Sequence, residues 1–205
     1  MTKDLNTENK ILEAAMRVFT RKGYSGARMQ EIADEAGINK GLLHYYFKSK
    51  DNLFASIFDQ AFREFGPRTT EIFESDAPLL EKIELFVDRY IDFLMEHPYL
   101  PPFILLEINH RPEALIKRIQ DSGMRPNPMK LMMQIQMEAQ RGTIRPINPI
   151  HLVFNIISMC AFPFVARPMI QAILQIGNEE YKAFMADRKK AVFGFVKDAI
   201  LVTSD

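Results

Sequence analysis

Between positions 28 and 50 the chain sets Arg28, Lys40, Lys48 and Lys50 around a run of ring side chains, His44, Tyr45, Tyr46 and Phe47. Ammonium and guanidinium groups neutralise phosphates, and phenol hydroxyls and the free N–H groups at a helix start donate to phosphate oxygens. The chemistry on offer is recognition of a polyanion. From Arg17 to Lys50 the basic residues are Arg17, Arg21, Lys22, Arg28, Lys40, Lys48 and Lys50, against Glu31, Asp34 and Glu35. That is a local excess of four positive charges in a chain whose formal net charge is zero. A basic face on an exposed helix fits phosphate contact. Taken singly, rings on a short helix are usually packing and lysines usually a solvated face; the ordered combination is what favours nucleic acid.

Other chemistries find little support. His44, His97, His110 and His151 show no metal-ligand spacing. Glu107 and His110, three apart on a short helix, could pair or contact a ligand, and a surface pair is the favoured reading. The single cysteine, Cys160, can form neither a disulfide nor a cysteine metal site within one chain, and it fits a reducing compartment. No nucleophile elbow, phosphate loop or paired-carboxylate signature stands out, so no enzyme activity, cofactor or metal is expected. The N-terminal stretch is polar and lacks the apolar core of a signal peptide. Residues 150–166, "IHLVFNIISMCAFPFVA", are mostly apolar but short for a membrane span and interrupted by His151, Asn155, Ser158 and Pro163. They read as a core or interface helix of a cytoplasmic protein with no membrane contact. Apolar content of 47% and charged content of 25% are those of a folded chain. Its 205 residues suffice for one large domain, or for a small one joined to a larger.

The spacing supplies helices nearly everywhere, and they must position the basic and ring side chains. Ile11, Ala14, Ala15, Val18 and Phe19 form one stripe of a helix over 7–22, capped by Asn6 or Thr7 and ended by Gly23. A short helix over 28–36 turns Met29, Ile32, Ala33 and Ala36 inward. Gly37 supplies a backbone position where a positive φ is cheap, and Asn39 caps a third helix over 40–46. Ser49 caps a fourth, to about Phe65, with Leu53, Phe54, Ile57, Phe58, Ala61, Phe62 and Phe65 inward and a break or kink at Gly66-Pro67. Two short helices crossing at the small Ala33, with Ile38, Leu43 and Phe47 sealing the corner, make a helix-turn-helix. Leu43 and Phe47 lie four apart on the buried face, which leaves Lys40, Gly41, Leu42, His44, Tyr45 and Tyr46 for the other sides. Further helices are expected from about Pro78 to His97, over 102–110, 112–121, 128–141 and 149–175, the last kinked at Pro163 and Pro168, and over 179–202. A loop, "SGMRPNP", separates the middle ones. No stretch alternates with period two, so the fold class is all-α.

Residues 11–54, "ILEAAMRVFTRKGYSGARMQEIADEAGINKGLLHYYFKSKDNLF", resemble the N-terminal DNA-binding domain of the TetR/AcrR family of bacterial transcriptional regulators. The matching positions are Ala15 and Phe19, Gly23-Tyr24, Ile32-Ala33, Ala36-Gly37, Lys40-Gly41, Tyr45-Tyr46-Phe47 and Lys48-Ser49-Lys50. The resemblance implies a helix-turn-helix domain over 6–66, then a larger helical effector-binding and dimerisation domain over 67–205. It implies a homodimer on a palindromic double-stranded operator, each third helix in a major groove. Carried over, phosphate contacts fall to Arg28 or Met29, Lys40, His44, Tyr45, Lys48 and Lys50, with Asn39 at the helix start. Base contacts fall to Gly41 and Leu42, with His44 or Tyr46. The chain departs from the family at Ala27 and Arg28, where Thr or Ser is frequent. It departs again at His44, usually Tyr, at Tyr46, often His, and at Leu42, often small or polar.

Residues 67–205 hold 16 basic and 17 acidic side chains, which do not suit DNA. The resemblance implies a small-molecule pocket here, and the candidates are Phe86, Tyr90, Phe93, Phe103, Glu107, Met133, Met137, Phe154 and Met159, an apolar and adaptable lining suited to a greasy effector of unknown identity. Plain core packing is the bland alternative for each. Ile156, Phe162, Phe164 and Val165, with Phe184, Val192, Phe195 and Val196, are the candidates for a four-helix bundle across a two-fold axis. The expected function is a ligand-responsive homodimeric repressor that releases its operator when the effector binds. The alternative is a helical small-molecule binding protein that does not bind DNA.

Overall fold

Ile11, Ala14, Ala15, Val18 and Phe19 are all 0% exposed, so the stripe read from the sequence does line the first helix, α1 (Thr2–Gly26). The computed structural model describes residues 2–110, 112–121 and 128–202; the side chain of Phe62 and most of the expected "SGMRPNP" loop lie outside them. α1 is longer than expected at both ends, although Gly23 (φ 68°) leaves helical geometry where the stop was read. Eleven helices occur among the described residues. After α1 come α2 (Met29–Glu35), α3 (Lys40–Phe47), α4 (Lys50–Glu74), α5 (Leu79–Glu96), α6 (Leu100–His110) and α7 (Pro112–Asp121). They are followed by α8 (Met129–Gln140), α9 (Pro149–Val165), α10 (Arg167–Leu174) and α11 (Asn178–Ile200). The one extended pairing among these residues is an isolated bridge between Ile144 and Leu201.

The chain divides into two compact units. The first holds residues 1–64 together with 99–125, the second 65–98 together with 126–205. The sequence boundary at 66/67 assigned α6 and α7 elsewhere. Phe103 shows why they join the first unit. It is 0% exposed, with its ring 5.2 Å from both Phe54 and Phe58 and 6.0 Å from Phe19. Four rings from three helices therefore form one buried cluster, and α6 supplies a quarter of it.

The expected break at Gly66-Pro67 does not occur, because α4 continues to Glu74. Proline removes one intrahelical donor, but its fixed φ is helical. The hydroxyls of Thr69 and Thr70 donate back to Phe65 O (2.9 Å) and Gly66 O (3.0 Å), and Ile72 and Phe73 are buried beyond, so packing holds the last turns in register.

In the second unit α11 packs on α5 and α9, and α9 packs on α5 and α8. Lys189 clamps α11 to α5 through Asp88 (2.9 Å) and Asp92 (2.6 Å). The expected kink falls between the two prolines. α9 runs through Pro163 to Val165, and α10 leaves at 68° after Ala166. Pro163 has no N–H, which leaves Met159 O without its helical partner; Arg188 Nε supplies the bond at 2.9 Å. Tyr181 Oη donates to Pro163 O at 3.0 Å. No single helix among the described residues is long and apolar enough to cross a membrane. Replacing Arg188 by Leu orphans the Met159 carbonyl, and urea unfolding is expected to lose about 1–3 kcal/mol.

Candidate nucleic-acid interface

The corner between α2 and α3 is built by backbone hydrogen bonds. Ala36 caps α2, Gly37 takes φ +68°, and Gly37 N and Ile38 N bond back to Asp34 O (3.1 Å) and Ala33 O (3.0 Å). This pair of bonds is the Schellman termination, which requires the left-handed residue glycine supplies. Asn39 then starts α3, its Oδ1 accepting from Leu42 N at 2.8 Å. A Cβ on Gly41 would stand 3.2 Å from that Oδ1, so glycine here also protects the cap. Ile32, Ala33, Leu43 and Phe47 are buried as expected.

With that row inward, Asn39, Lys40, Gly41, His44, Tyr45 and Lys48 are exposed, Tyr45 at 77%. Leu42 and Tyr46 are half-buried, and the Tyr46 ring meets the Tyr45 ring edge-on at 5.6 Å. Arg28 is exposed and Met29 half-buried at the start of α2. Arg28 N donates to Glu31 Oε2 at 3.3 Å, but its guanidinium has no acceptor, so the reciprocal cap bond of a Ser or Thr is missing.

The positive excess is smaller at the surface than in the sequence. Arg17 Nε and Arg21 Nη2 bond Glu35 at 2.9 and 2.8 Å, and Lys22 bonds Glu31 at 2.6 Å, tying α1 to α2. Arg21 and then Arg17 hold the Glu35 carboxyl below its ordinary value, and the hydrogen bond from Lys22 does the same for Glu31. Lys50, read as a phosphate ligand, faces inward instead. Its Nζ donates to Tyr24 O (2.9 Å) and Ala27 O (3.1 Å) and lies 4.5 Å from the Tyr24 ring centroid. It ties the start of α4 to the turn between α1 and α2, a role that depends on tertiary contacts. Arg28, Lys40 and Lys48 remain as the outward cations of the motif.

Lys48 is held at φ 56°, ψ −39°, a region that side chains with a Cβ avoid. Its N–H caps α3 by bonding His44 O at 2.8 Å. The strained backbone holds a charged side chain at the C-terminal end of the exposed row.

The other predicted residues separate into several places. Phe86 and Phe93 are buried, Tyr90 is half-buried, and all three rings pack on Phe65 at 4.8–6.1 Å. Burial pushes the Tyr90 phenol well above its ordinary range. Phe103 and Glu107 are buried and belong to the first unit, so Glu107 is not half of a surface pair, and His110 Nδ1 lies 2.8 Å from Leu106 O. Met133, Met137 and Phe154 are exposed at 55%, 46% and 63%, while Met159 lies on α9 under Arg188. Of the interface set, Ile156, Phe164, Val192 and Val196 are 1–3% exposed in the subunit's own core and Val165 is half-buried. Phe162, Phe184 and Phe195 face outward at 59%, 38% and 66%.

The family profile "Bacterial regulatory proteins, tetR family" matches residues 11–57. Along most of its length the chain is 25% identical to a probable HTH-type transcriptional regulator, YttP, of Bacillus subtilis, covering 90% of this chain and 91% of that one. It is 27% identical over 112 residues to the fatty acid metabolism regulator protein of Bacillus subtilis, spanning 55% of this chain and 58% of that relative. The fold matches the crystal structure of FadR from Bacillus subtilis in complex with stearoyl-CoA, with a TM-score of 0.62 at 20% identity, covering 91% of this chain and 96% of that one.

The strain at Lys48 separates stability from binding. Lys48→Gly is expected to raise unfolding stability by roughly 1 kcal/mol while weakening affinity for duplex DNA and flattening its salt dependence. Lys50→Met is expected to do the reverse, lowering stability with little change in the salt slope; thermal melts and fluorescence anisotropy at several salt concentrations read both.

Proposed function

This chain belongs to the TetR family of DNA-binding transcriptional regulators, and on that premise we propose that it is a homodimeric repressor that releases a palindromic operator when a small apolar effector binds its second unit. The coarse role, a regulator of transcription and not an enzyme, is set by the family. The observation that carries the proposal is the outward row of α3, with Lys40, Tyr45 and Lys48 exposed while Leu43 and Phe47 seal the inner side. An exposed helix of this width fits a major groove, and its cations and phenol meet the phosphates that flank it. The half-buried Leu42 offers a methyl contact to thymine but no hydrogen bond.

Dimerisation is supported by Phe162 and Phe195, large rings left exposed on α9 and α11. Isolated apolar side chains are ordinary at a surface, but several large rings on adjacent helices favour an interface. A two-fold axis would set two α3 helices one DNA turn apart, about 34 Å. Similarity to the Bacillus subtilis fatty acid metabolism regulator, and to the FadR structure that holds stearoyl-CoA, supports a greasy effector. Release would follow if the effector prefers one pose of α4, because a palindrome tolerates little change in half-site separation. A regulator of this kind works in the cytoplasm.

Selection of bound duplexes from a random pool is expected to recover an inverted repeat. Tyr45→Ala is expected to weaken all recovered sequences alike, and loss confined to particular base pairs would show that Tyr45 reads bases instead. Phe162→Glu with Phe195→Glu is expected to convert the dimer to monomer in sedimentation and to abolish tight operator binding; a dimer that survives both changes contradicts this interface.

A further inference from the structure

Lys82, in the first turn of α5, is 2% exposed, yet no ion pair to it occurs among the described residues. Its Nζ donates one long hydrogen bond, 3.3 Å to Phe73 O near the end of α4. An ammonium carries three donors, and a buried one that fills only one of them retains much of its desolvation penalty. Burial, and then the charge of Lys130, depress its pKa; the Asp76 and Glu138 carboxylates act in the opposite sense without making an ion pair to it, and burial prevails. Lys130 itself is satisfied. It bonds Glu74 O at 2.6 Å and Asp76 Oδ1 at 2.7 Å.

Lys82 lines an open groove of about 590 Å³ whose far wall is α8. That volume lies within the range of roughly 300–1,000 Å³ typical of small-molecule sites. The interior behind Lys82, beside Phe73, Phe86 and Ile156, is filled, with about 10 Å³ left. A ligand therefore has room in the groove and none behind it.

The groove offers two kinds of surface. Met129, Met133 and Met137 recur at every fourth position of α8 and remain 57%, 55% and 46% exposed. Unbranched thioethers make a wall that adapts to a flexible apolar chain. At the polar side, Asp76 is engaged by Lys130 and Glu138 accepts from Gln134 Nε2 at 3.1 Å. Lys82, Lys130 and Arg141 face Asp76 and Glu138 around the groove, which leaves one positive charge in excess.

We propose that this groove is the effector site and that it binds an amphipathic anion, a carboxylate or phosphate head at Lys82 with an unbranched apolar tail along Met129, Met133 and Met137. This rests on the effector-responsive role above and narrows it. It differs from a greasy core pocket in requiring charge: the head supplies the partner that the buried amine lacks, and the tail covers the exposed methionine row.

The probes are laurate, dodecyl phosphate and the uncharged dodecanol, titrated calorimetrically into the full-length protein below their aggregation limits. One saturable site per chain is expected for at least one of the two anions. Lys82→Met keeps the apolar stem, and its melting temperature reports the fold. It is expected to weaken the bound anion at least about tenfold, the weight of a charged hydrogen bond, and to leave dodecanol unchanged. Met133→Glu, at an exposed position, is expected to weaken the same anion by repelling its head or blocking its tail. The proposal is overturned if neither anion binds, or if the anion binds Lys82→Met as tightly as the wild type. Operator affinity measured alongside separates the two ideas. An anion bound through Lys82 that leaves DNA affinity unchanged supports the site and contradicts ligand responsiveness. An anion that releases DNA equally from wild type and Lys82→Met sinks the site and preserves responsiveness.

Discussion

The rotation of α3 about its own axis is the constraint from which the interface follows. Each residue turns a helix by about 100°, so two side chains four apart fix which edge is inside. Leu43 and Phe47 are those two, at 0% and 5% exposure, closing on Ile32 and Ala33 of α2. Turning α3 by one residue would expose Leu43 and bury His44, exchanging hydrophobic burial for a desolvated ring nitrogen. The glycine-terminated corner fixes where α3 begins, and the asparagine cap holds its first turn. Polar and charged side chains then occupy the remaining edge because no other edge is open to them.

Charge was redistributed by folding as much as it was presented by it. Of the seven basic residues between Arg17 and Lys50, three pair with Glu31 or Glu35 and Lys50 holds backbone carbonyls. Those four keep the first unit in shape, leaving Arg28, Lys40 and Lys48 as outward cations. In the proposed dimer, six phosphate contacts would give a salt slope of about −5, a moderate electrostatic contribution that leaves a role for close contact by tyrosine, glycine and backbone N–H groups. The second unit uses its charges similarly, with Lys189 closing α11 on α5 and Arg188 repairing the gap left by Pro163. Lys82 is the contrasting case, a buried amine with a groove beside it.

Features set by neighbours in sequence were legible: the positive φ at Gly37, the cap at Asn39, and the inward set Ile32, Ala33, Leu43 and Phe47. Features set by distant neighbours were not. Pro67 reads as a helix breaker, yet α4 passes through it because the threonine hydroxyls and buried Ile72 and Phe73 hold the following turns. Phe103 reads as a pocket wall, but its partners are Phe19, Phe54 and Phe58, far back in the chain. Lys50 reads as one more surface cation, and only the three-dimensional turn at Tyr24–Ala27 reveals its acceptors. Ile156 and Phe162 are indistinguishable by type, and only packing sends one inward and the other outward. The buried position of Lys82 carried no sequence signal, since a lysine between acidic residues reads as solvated.

Lysine acetylation, read by mass spectrometry on the full-length protein with and without its selected duplex, tests the central claim most directly. DNA is expected to protect Lys40 and Lys48 strongly, and to leave Lys50, already engaged within the fold, and Lys182 and Lys197 in the second unit unchanged. Protection confined to the second unit, or none at Lys40 and Lys48 while DNA is bound, would contradict the assignment of α3 as the element that meets the duplex.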